Sequence, residues 1–234
     1  MTSATGPVCL QGGGEFSPGC RAMDADLVRR AGGRVVVSAL AGTVGRDYRT
    51  ATDNGVRHFR AVGAGDVLAA PDVREDPDGA LEALASARLL VLPGGSPSRL
   101  LETLQQTGAG AAVAERLAAG ALVMGSSAGA MVLGDWTVLP DRRGAAGMQI
   151  VRGLGLVPGV LVVPHWSGGS SRGDWLRAIE ADVPDGVVVL GIPEESGVLV
   201  DDDGLTAIGR SVTTLVRQER GLELGRTWLP EVRP

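Results

Sequence analysis

The stretch Ala121–Val132, with the sequence ALVMGSSAGAMV, constrains the fold of this chain more than any other. Its first four residues are apolar, as in a buried β-strand, and small residues compatible with a helix begin at Ala128. Between them lies a G-x-S-x-G sequence with Ser127 at its centre. In a strand–turn–helix context this pattern is typical of a nucleophile elbow, a tight turn that holds a serine clear of the backbone. The alternative interpretation is a Gly/Ser-rich loop before a buried helix.

Short apolar runs alternate with helix-compatible segments up to this stretch. The predicted strands are Pro7–Gln11, Arg34–Leu40, Asp66–Ala69, Arg88–Pro93 and Ala121–Met124, and the predicted helices are Asp24–Ala31, Arg46–Val62, Asp78–Ser86, one beginning near Pro97, and Gly110–Ala119. This alternation predicts an α/β protein, a three-layer sandwich with a mainly parallel central sheet and helices on both faces. We expect ligands to bind at the carboxyl ends of the strands.

Fewer helices are predicted after the elbow. The later predicted elements are strands Val160–Pro164 and Val187–Ile192, helix Asp174–Ala181, and a last short strand, Thr213–Arg217. Asp202-Asp203-Gly204 separates Val198–Asp201 from Leu205–Ile208, which predicts a C-terminal β-hairpin. Because no linker or internal repeat interrupts the pattern, we expect a single domain over residues 1–234.

Composition and charge argue against several classes of function. The net charge is −5 and no basic block occurs, so a nucleic-acid partner is not expected. No apolar run is long enough to span a bilayer and the N-terminus lacks a signal-peptide pattern, so we expect a cytoplasmic protein without membrane association. Cys9 and Cys20 lack C-x-x-C spacing and are expected to be free thiols. With so few cysteines and histidines, we expect no metal site.

A serine on an elbow needs a general base, and the chain has two histidines. His58 lies in a predicted helix between Arg57 and Arg60, which favours a solvated helix face. His165 directly follows the predicted strand that ends at Pro164. It is therefore expected at the same sheet edge as the elbow serine and is the candidate base.

The acid that would orient the base has several candidates. Glu194 lies just beyond another predicted strand, whereas its neighbour Glu195 is expected to point elsewhere. Asp135 and Asp141 lie between the serine and the histidine in the chain and remain open. An order of serine, histidine, glutamate differs from the serine, acid, histidine order of α/β-hydrolases. An esterase of that class would need one of the two aspartates.

Further motifs accompany these residues along the chain. They are GGGE at Gly12–Glu15, where a Gly-rich turn would let the backbone approach neighbouring loops, LPGG at Leu92–Gly95, GSSAGA at Gly125–Ala130, GLGLVPG at Gly153–Gly159, PHW at Pro164–Trp166 and GIPE at Gly191–Glu194. In this order the motifs resemble those of the S51 serine peptidases, the family of peptidase E and the cyanophycinases. The resemblance implies the class I glutamine amidotransferase-like fold.

The resemblance also implies catalytic roles. Ser127 would be the nucleophile and His165 the base, with Glu194 as third member, as in cyanophycinase-like enzymes. Enzymes similar to peptidase E have instead been interpreted with an aspartate after the elbow, for which Asp141 is the nearest candidate. Amidotransferases of this fold carry cysteine at the elbow, so the serine disfavours glutaminase activity. No metal or cofactor is implied.

The resemblance suggests binding residues as well. The oxyanion hole would consist of the backbone N–H groups of Ala128 and Gly95. Ser96 stands where cyanophycinases carry the Asp of GGDQ, and Arg172 and Arg177 match the outer arginines of their RGRxxR motif; these three are candidate substrate-binding residues.

The middle arginine of that motif is replaced here by Asp174, which disfavours a polymer substrate. The expected function is therefore a dipeptidase-like exopeptidase acting on short peptides with an acidic N-terminal residue. The alternatives are a cyanophycinase-like β-aspartyl peptide hydrolase and a non-catalytic binding protein on the same scaffold. A homodimer is an open possibility.

Overall fold

The computed structural model describes residues 5–141 and 147–229. In the first segment, strands and helices alternate as predicted. The strands are β1 (Val8–Gln11), β2 (Val35–Val37), β3 (Val67–Ala69), β4 (Leu89–Leu92), β5 (Leu122–Ser126) and β6 (Gly134–Pro140), and the helices are α1 (Arg21–Ala31), α2 (Arg46–Ala61), α3 (Pro77–Ala85), α4 (Pro97–Gln106), α5 (Ala109–Ala118) and α6 (Ala128–Leu133). Helix α1 begins earlier than predicted, and β2 ends at Val37 rather than at Leu40.

The second described segment contains one α-helix among several strands. These elements are β7 (Met148–Arg152), β8 (Val157–Pro164), α7 (Gly173–Asp182), β9 (Val188–Ile192), β10 (Ser196–Asp201), β11 (Gly204–Gly209), β12 (Thr213–Leu215), β13 (Arg220–Leu222) and β14 (Thr227–Trp228). The hairpin of β10 and β11 confirms the prediction from Asp202-Asp203-Gly204. The prediction that this region holds the last strand was wrong, because β13 and β14 follow β12.

The strands form two sheets in the described parts of the chain. The first has the order β14-β11-β10-β1-β5-β4-β2-β3, and the second has the order β13-β12-β9-β8-β6-β7. The five strands from β1 to β3 in the first sheet are parallel, as are β6, β8 and β9 in the second. This mixed α/β architecture confirms the predicted fold class, whereas the division into two sheets was not foreseen.

Helices cover both faces of the first sheet. Successive side chains of its parallel strands point to opposite faces, so each strand contributes to two cores. Leu90 and Leu92 of β4 join a core with helices α3, α4 and α5, while Leu89 and Val91 join a core with α1 and α2. Both faces are buried, which explains why these strands are continuous apolar runs in the sequence. Within the described residues, no helix combines the length and apolar character that a membrane crossing requires.

His58 is buried, so its predicted position on a solvated helix face was wrong. Its side chain is only 5% exposed, and Nε2 lies 2.7 Å from Oδ2 of the fully buried Asp24. The ring also lies 5.5 Å from the ring of Phe16. The prediction relied on the flanking arginines, but His58 lies on the buried face of α2. The buried residues of this helix are Tyr48, Thr52, Gly55, His58 and Phe59.

Candidate active site

Ser127 lies on a sharp turn between β5 and α6. Its φ of 48° and ψ of −108° are unusual for a residue other than glycine. A Cβ atom at Gly125 would lie 2.4 Å from the carbonyl carbon of Gly129, and one at Gly129 would lie 2.1 Å from the carbonyl oxygen of Leu92. Both positions therefore need glycine because the chain crosses itself closely, which is the packing expected of a nucleophile elbow.

The structure brings together the serine, the histidine and the glutamate that the sequence singled out. Oγ of Ser127 lies 2.9 Å from Nε2 of His165, and Nδ1 of the same ring lies 2.9 Å from Oε1 of Glu194. The three side chains thus form one continuous hydrogen-bonded chain. His165 directly follows β8 and Glu194 closely follows β9, so two neighbouring parallel strands present them at the same edge.

The competing acids are placed differently. The carboxylate of Asp135 lies 2.7 Å from Nη1 of Arg152, with which it forms an ion pair. Asp141 follows the end of β6, and its N–H donates to the carbonyl oxygen of Gly147. Since Glu194 occupies the Nδ1 side of the histidine ring, the geometry favours it over the two aspartates.

Glu195 points away from the histidine, as predicted from the sequence. Its Oε1 accepts a hydrogen bond from Oγ of Ser17, and its Oε2 lies 2.7 Å from Nη1 of Arg210. These two contacts lower the pKa of the Glu195 carboxyl, with the hydrogen bond from Ser17 as the larger cause. The two adjacent glutamates therefore serve different partners.

The glycine turn after β4 is held from both sides. The N–H of Gly94 donates to Oε1 of Glu15 at 2.8 Å, and the N–H of Ser96 donates to the carbonyl oxygen of Ala41 at 3.0 Å. Gly95, between them, has a φ of 141°, which favours glycine. Among the described residues, no hydrogen bond from its N–H to another loop is found, and Ala128, the first residue of α6, is buried. The N–H groups of these two residues are the ones predicted to form the oxyanion hole.

The segment Gln11–Gly13 supports three loops of the site, a role that the sequence indicated only as a close backbone approach. Its three carbonyl oxygens accept, in order, from the N–H groups of Ser127 at 2.9 Å, His165 at 2.8 Å and Glu195 at 2.9 Å. Because these donors belong to loops of both sheets, one short piece of main chain sets the relative positions of the serine, the histidine and the glutamate loop.

Glu15 ends the GGGE motif that was predicted to lie near the site, but no role was predicted for its side chain. Besides the N–H of Gly94, its carboxylate accepts a hydrogen bond from Oγ of Ser126, at 2.9 Å from Oε2. It therefore joins the glycine turn to the residue before the candidate nucleophile. Its place after three glycines at a strand end was the available signal.

The three candidate substrate-binding side chains already make contacts within the protein. Arg177 pairs with Asp174 on the surface. Oγ of Ser96 accepts from the N–H of Arg99 and caps α4. Nη2 of Arg172 donates to the carbonyl oxygen of Pro164 at 3.1 Å, next to the histidine. Arg172 therefore contacts the residue that directly precedes the candidate base.

Both cysteines are free and buried. Burial is the main cause that raises the pKa of Cys20 to about 11, and it raises the pKa of Cys9 further still. Neither thiol is therefore activated as a nucleophile. Among residues 5–141 and 147–229, no group of three or more His, Cys, Asp and Glu side chains is arranged to hold a metal ion.

A serine on a strand–helix turn, hydrogen-bonded to a histidine that contacts a carboxylate, is the arrangement that characterises serine hydrolases. Comparison with known families identifies this chain more closely. Residues 26–208 match the model of Peptidase family S51. The chain belongs to that family.

Individual relatives agree with this assignment. Peptidase E of Salmonella arizonae is 30% identical over 148 residues, which are 58% of this chain and 61% of that protein. The cyanophycinase of Trichormus variabilis is 30% identical over 131 residues, 53% of this chain and 43% of that protein. The chain thus covers less than two thirds of the length of either relative.

A solved structure shows the same fold over the whole length. The crystal structure of a peptidase from an acI-B1 actinobacterium has a TM-score of 0.77 and 22% identity, and the match covers 97% of each chain. At this identity the likeness concerns the fold.

Proposed function

We propose that this protein is a serine peptidase that hydrolyses short peptides with an acidic N-terminal residue. The observation that carries the proposal is the pair of 2.9 Å contacts that link Ser127, His165 and Glu194. Membership of the S51 family and the similarity to a peptidase E support the same chemistry.

In the proposed mechanism, Oγ of Ser127 attacks the carbonyl carbon of the scissile peptide bond while Nε2 of His165 takes its proton. Glu194 accepts a hydrogen bond from Nδ1–H and stabilises the imidazolium that forms. The N–H groups of Gly95 and Ala128 donate to the carbonyl oxygen as it becomes negative.

Breakdown of this intermediate completes the cycle. His165 returns its proton to the leaving amine, the C–N bond breaks, and an acyl-enzyme ester remains on Ser127. Water then attacks the ester with His165 as base, which releases the acid product and restores the serine hydroxyl. These steps use only side chains, main-chain amides and water.

The preference for an acidic residue rests on Arg172. Its Nε is buried without a hydrogen-bond partner among the described residues, while Nη2 contacts the carbonyl oxygen just before His165. A guanidinium in this position suits a carboxylate ligand. Arg177 is less suited to bind a substrate carboxylate because it already forms an ion pair with Asp174. Ser96 is a secondary candidate for substrate binding because its Oγ already accepts a hydrogen bond from the N–H of Arg99 in α4.

A cyanophycinase-like activity on β-aspartyl peptides is the second candidate, favoured by the similarity to the Trichormus protein. Asp174 disfavours it, because it places a negative charge where the cyanophycinase motif has an arginine.

A cytoplasmic location belongs to the proposal and is consistent with two free thiols. The proposed activity is compatible with a homodimer. If no peptide is hydrolysed, the remaining alternative is a non-catalytic binding protein on the same scaffold.

A dipeptide screen tests the proposal. Asp-X, Glu-X, β-aspartyl-X and neutral dipeptides are incubated with the wild type and with Ser127→Ala, and released amino acids are quantified. We expect hydrolysis of the Asp-X series by the wild type alone. Preference for β-aspartyl peptides would select the second candidate, and no hydrolysis of any peptide would contradict a peptidase.

A further inference from the structure

Arg99 places a positive charge beside the glycine turn. Its Nη1 donates to the carbonyl oxygen of Ala41 at 2.8 Å, and the same oxygen accepts the N–H of Ser96 at 3.0 Å. A Cβ atom at Gly95 would lie 2.8 Å from this oxygen. The guanidinium group is therefore anchored on the carbonyl against which Gly95, a predicted oxyanion donor, packs.

The charge of Arg99 has no counter-ion within the described parts of the chain, although the residue is half-buried. Arg74 donates to the neighbouring carbonyl oxygen of Gly42 at 3.0 Å, but its charge is balanced by the ion pair with Asp72. Arg99 also lies in the first turn of α4, where the helix dipole favours negative rather than positive charge. Partial burial of an unpaired charge is unfavourable, so an anionic ligand would stabilise it.

The contact with Ala41 leaves one edge of this guanidinium group unoccupied. Nη1 makes that contact, and among the residues that the structure describes neither Nε nor Nη2 of Arg99 donates to the protein. These two nitrogens form a planar edge that suits two parallel hydrogen bonds to a carboxylate. Neither nitrogen is enclosed by protein atoms, so a ligand can reach this edge.

The guanidinium group lies further along the sheet edge than the candidate nucleophile. Strands β5, β4 and β2 are adjacent and parallel, so the loops that carry Ser127, Gly95 and Ala41 lie side by side. Because neighbouring strands are about 4.8 Å apart, the first and third of these loops are on the order of 10 Å apart. An extended peptide advances about 3.4 Å per residue. One or two residues beyond the scissile bond therefore bring a C-terminal carboxylate within reach of the arginine.

Arg172 lies on the opposite side of the nucleophile. The N–H of His165 donates to the carbonyl oxygen of Gly12, which follows β1, and β1 and β4 lie on opposite sides of β5. Arg172 contacts the residue before this histidine, whereas Arg99 follows β4. The site thus has one guanidinium group without a carboxylate partner at each end, within the described residues.

A short peptide with an acidic first residue carries two carboxylates, one on that side chain and one at its C-terminus. We propose that Arg99 binds the C-terminal carboxylate of the leaving group and thereby directs the enzyme to di- and tripeptides. This inference rests on the proposed function, in which Arg172 binds the acidic side chain, and adds a limit on substrate length. The competing interpretation is that Arg99 only fixes the loop that contains Ala41.

The test compares Asp-Leu with Asp-leucinamide, which have the same scissile bond but differ in the C-terminal charge. Release of aspartate by the wild type and by Arg99→Gln gives kcat/KM for each peptide. We expect the wild type to prefer the free acid by about ten- to a hundredfold in kcat/KM, which is the effect of one charge-assisted hydrogen bond. The difference should lie mainly in KM.

In Arg99→Gln we expect this preference to disappear, while kcat/KM for the amide stays close to the wild-type value. Arg99→Lys keeps the charge but not the planar edge, so it should retain part of the preference. A role limited to fixing the loop would lower both peptides by the same factor, and that result would overturn the inference but leave the proposed function intact. Equal hydrolysis of both peptides by the wild type would do the same. Hydrolysis of neither would contradict the proposed function as well.

Two controls separate this role from those of other arginines. Arg99→Gln should keep the preference for Asp-Leu over Ala-Leu, because that preference is assigned to Arg172. If it lost this preference and kept the one for the free acid, Arg99 would bind the acidic side chain and the inference would be wrong. Arg88→Gln removes an exposed charge just before β4, at the opposite end of the strand, and should leave both preferences unchanged.

The wild type alone provides a measurement that does not depend on the folding of Arg99→Gln. Free acids and amides of Asp-Leu, Asp-Leu-Gly and Asp-Leu-Gly-Gly-Gly are compared. The preference for the free acid should be large for the two shorter peptides and absent for the longest, whose carboxylate extends beyond Arg99. A preference that does not depend on peptide length would overturn the inference, because the charge would then not be bound at a fixed distance from Ser127.

Discussion

Nδ1 of His165 and Oε1 of Glu194 lie 2.9 Å apart because the strands that precede them are paired in register. Pro164, the last residue of β8, is opposite Ile192, the last residue of β9. The candidate base and its carboxylate thus belong to the second sheet, whereas Ser127 follows β5 of the first sheet. The proposed active site therefore depends on how the two sheets are joined.

Replacing Glu194 by glutamine should lower kcat strongly while the protein remains folded. The amide cannot stabilise the imidazolium by charge, and loss of the acid in comparable triads costs roughly 10⁴-fold. Because the Glu194 side chain is 61% exposed, we expect a smaller loss, on the order of 10²- to 10³-fold. Steady-state kinetics on the best dipeptide from the screen would measure it.

Glu195→Gln and Asp135→Asn are the matched controls for this substitution. Both remove a neighbouring or competing carboxylate, yet neither side chain contacts the histidine. Each should retain most of the wild-type kcat. If Asp135→Asn or Asp141→Asn were as damaging as Glu194→Gln, the assignment of the third residue would be wrong.

Gly13→Ala should disable the candidate base directly. A Cβ atom at this position would lie 2.3 Å from Cε1 of His165, and φ is 125°, where alanine is strained. We expect loss of most activity and a stability decrease of about 1–3 kcal/mol. Gly65→Ala is the control, because nothing lies within 4 Å of its Cβ position. Full activity in Gly13→Ala would show that the histidine position tolerates displacement.

The sequence was informative where a local pattern determines the structure. The G-x-S-x-G turn requires glycine at Gly125 and Gly129 for steric reasons, so a short motif was enough to locate Ser127. Strand-end positions then made His165 the candidate base and Glu194 one of several candidate acids, and the family resemblance favoured Glu194 or Asp141 among them. These predictions needed the order of strands and helices along the chain but no knowledge of side-chain packing.

Other features depend on contacts between distant segments, which no local pattern records. The role of Glu15 arises because it meets Gly94 and Ser126 in space. His58 was misplaced because its environment depends on Asp24, in another helix. The division into two sheets follows from long-range strand pairing that hydrophobic periodicity does not encode.

The buried pair of Asp24 and His58 predicts a pH-dependent stability. Burial raises the pKa of Asp24 from 3.8, and this effect exceeds the lowering by the hydrogen bond to His58. The folded protein therefore binds this proton more readily than the unfolded chain. The contribution of Asp24 to stability is complete below about pH 3.8 and is lost as the pH rises through its raised pKa.

The side chain in Asp24→Asn cannot ionise, so this variant should not lose stability as the pH rises through the pKa of Asp24. Its free energy of unfolding relative to the wild type should therefore increase as the pH rises from about 4 towards neutrality. Urea denaturation at several pH values would measure the change. Asp26→Asn is the control with the opposite sign, because the hydrogen bond from Arg30 lowers the pKa of Asp26. A difference between Asp24→Asn and wild type that is independent of pH would contradict the account.

The two cysteines should be unreactive in the folded protein. Burial raises the pKa of Cys20 to about 11, so little thiolate exists at pH 8, and Cys9 is fully buried. Ellman's reagent at pH 8 should therefore react slowly with native protein and release two equivalents after denaturation. Rapid reaction of a native thiol would show that this region opens readily.

Covalent labelling by a fluorophosphonate tests the central claim, that Ser127 is a nucleophile activated by His165. Mass spectrometry after reaction at neutral pH should show one adduct on the peptide that contains Ser127, and Ser126→Ala should still form it. Ser127→Ala should form none, and His165→Ala should react far more slowly. An adduct that persists in Ser127→Ala, or folded wild-type protein that forms none, would contradict the account.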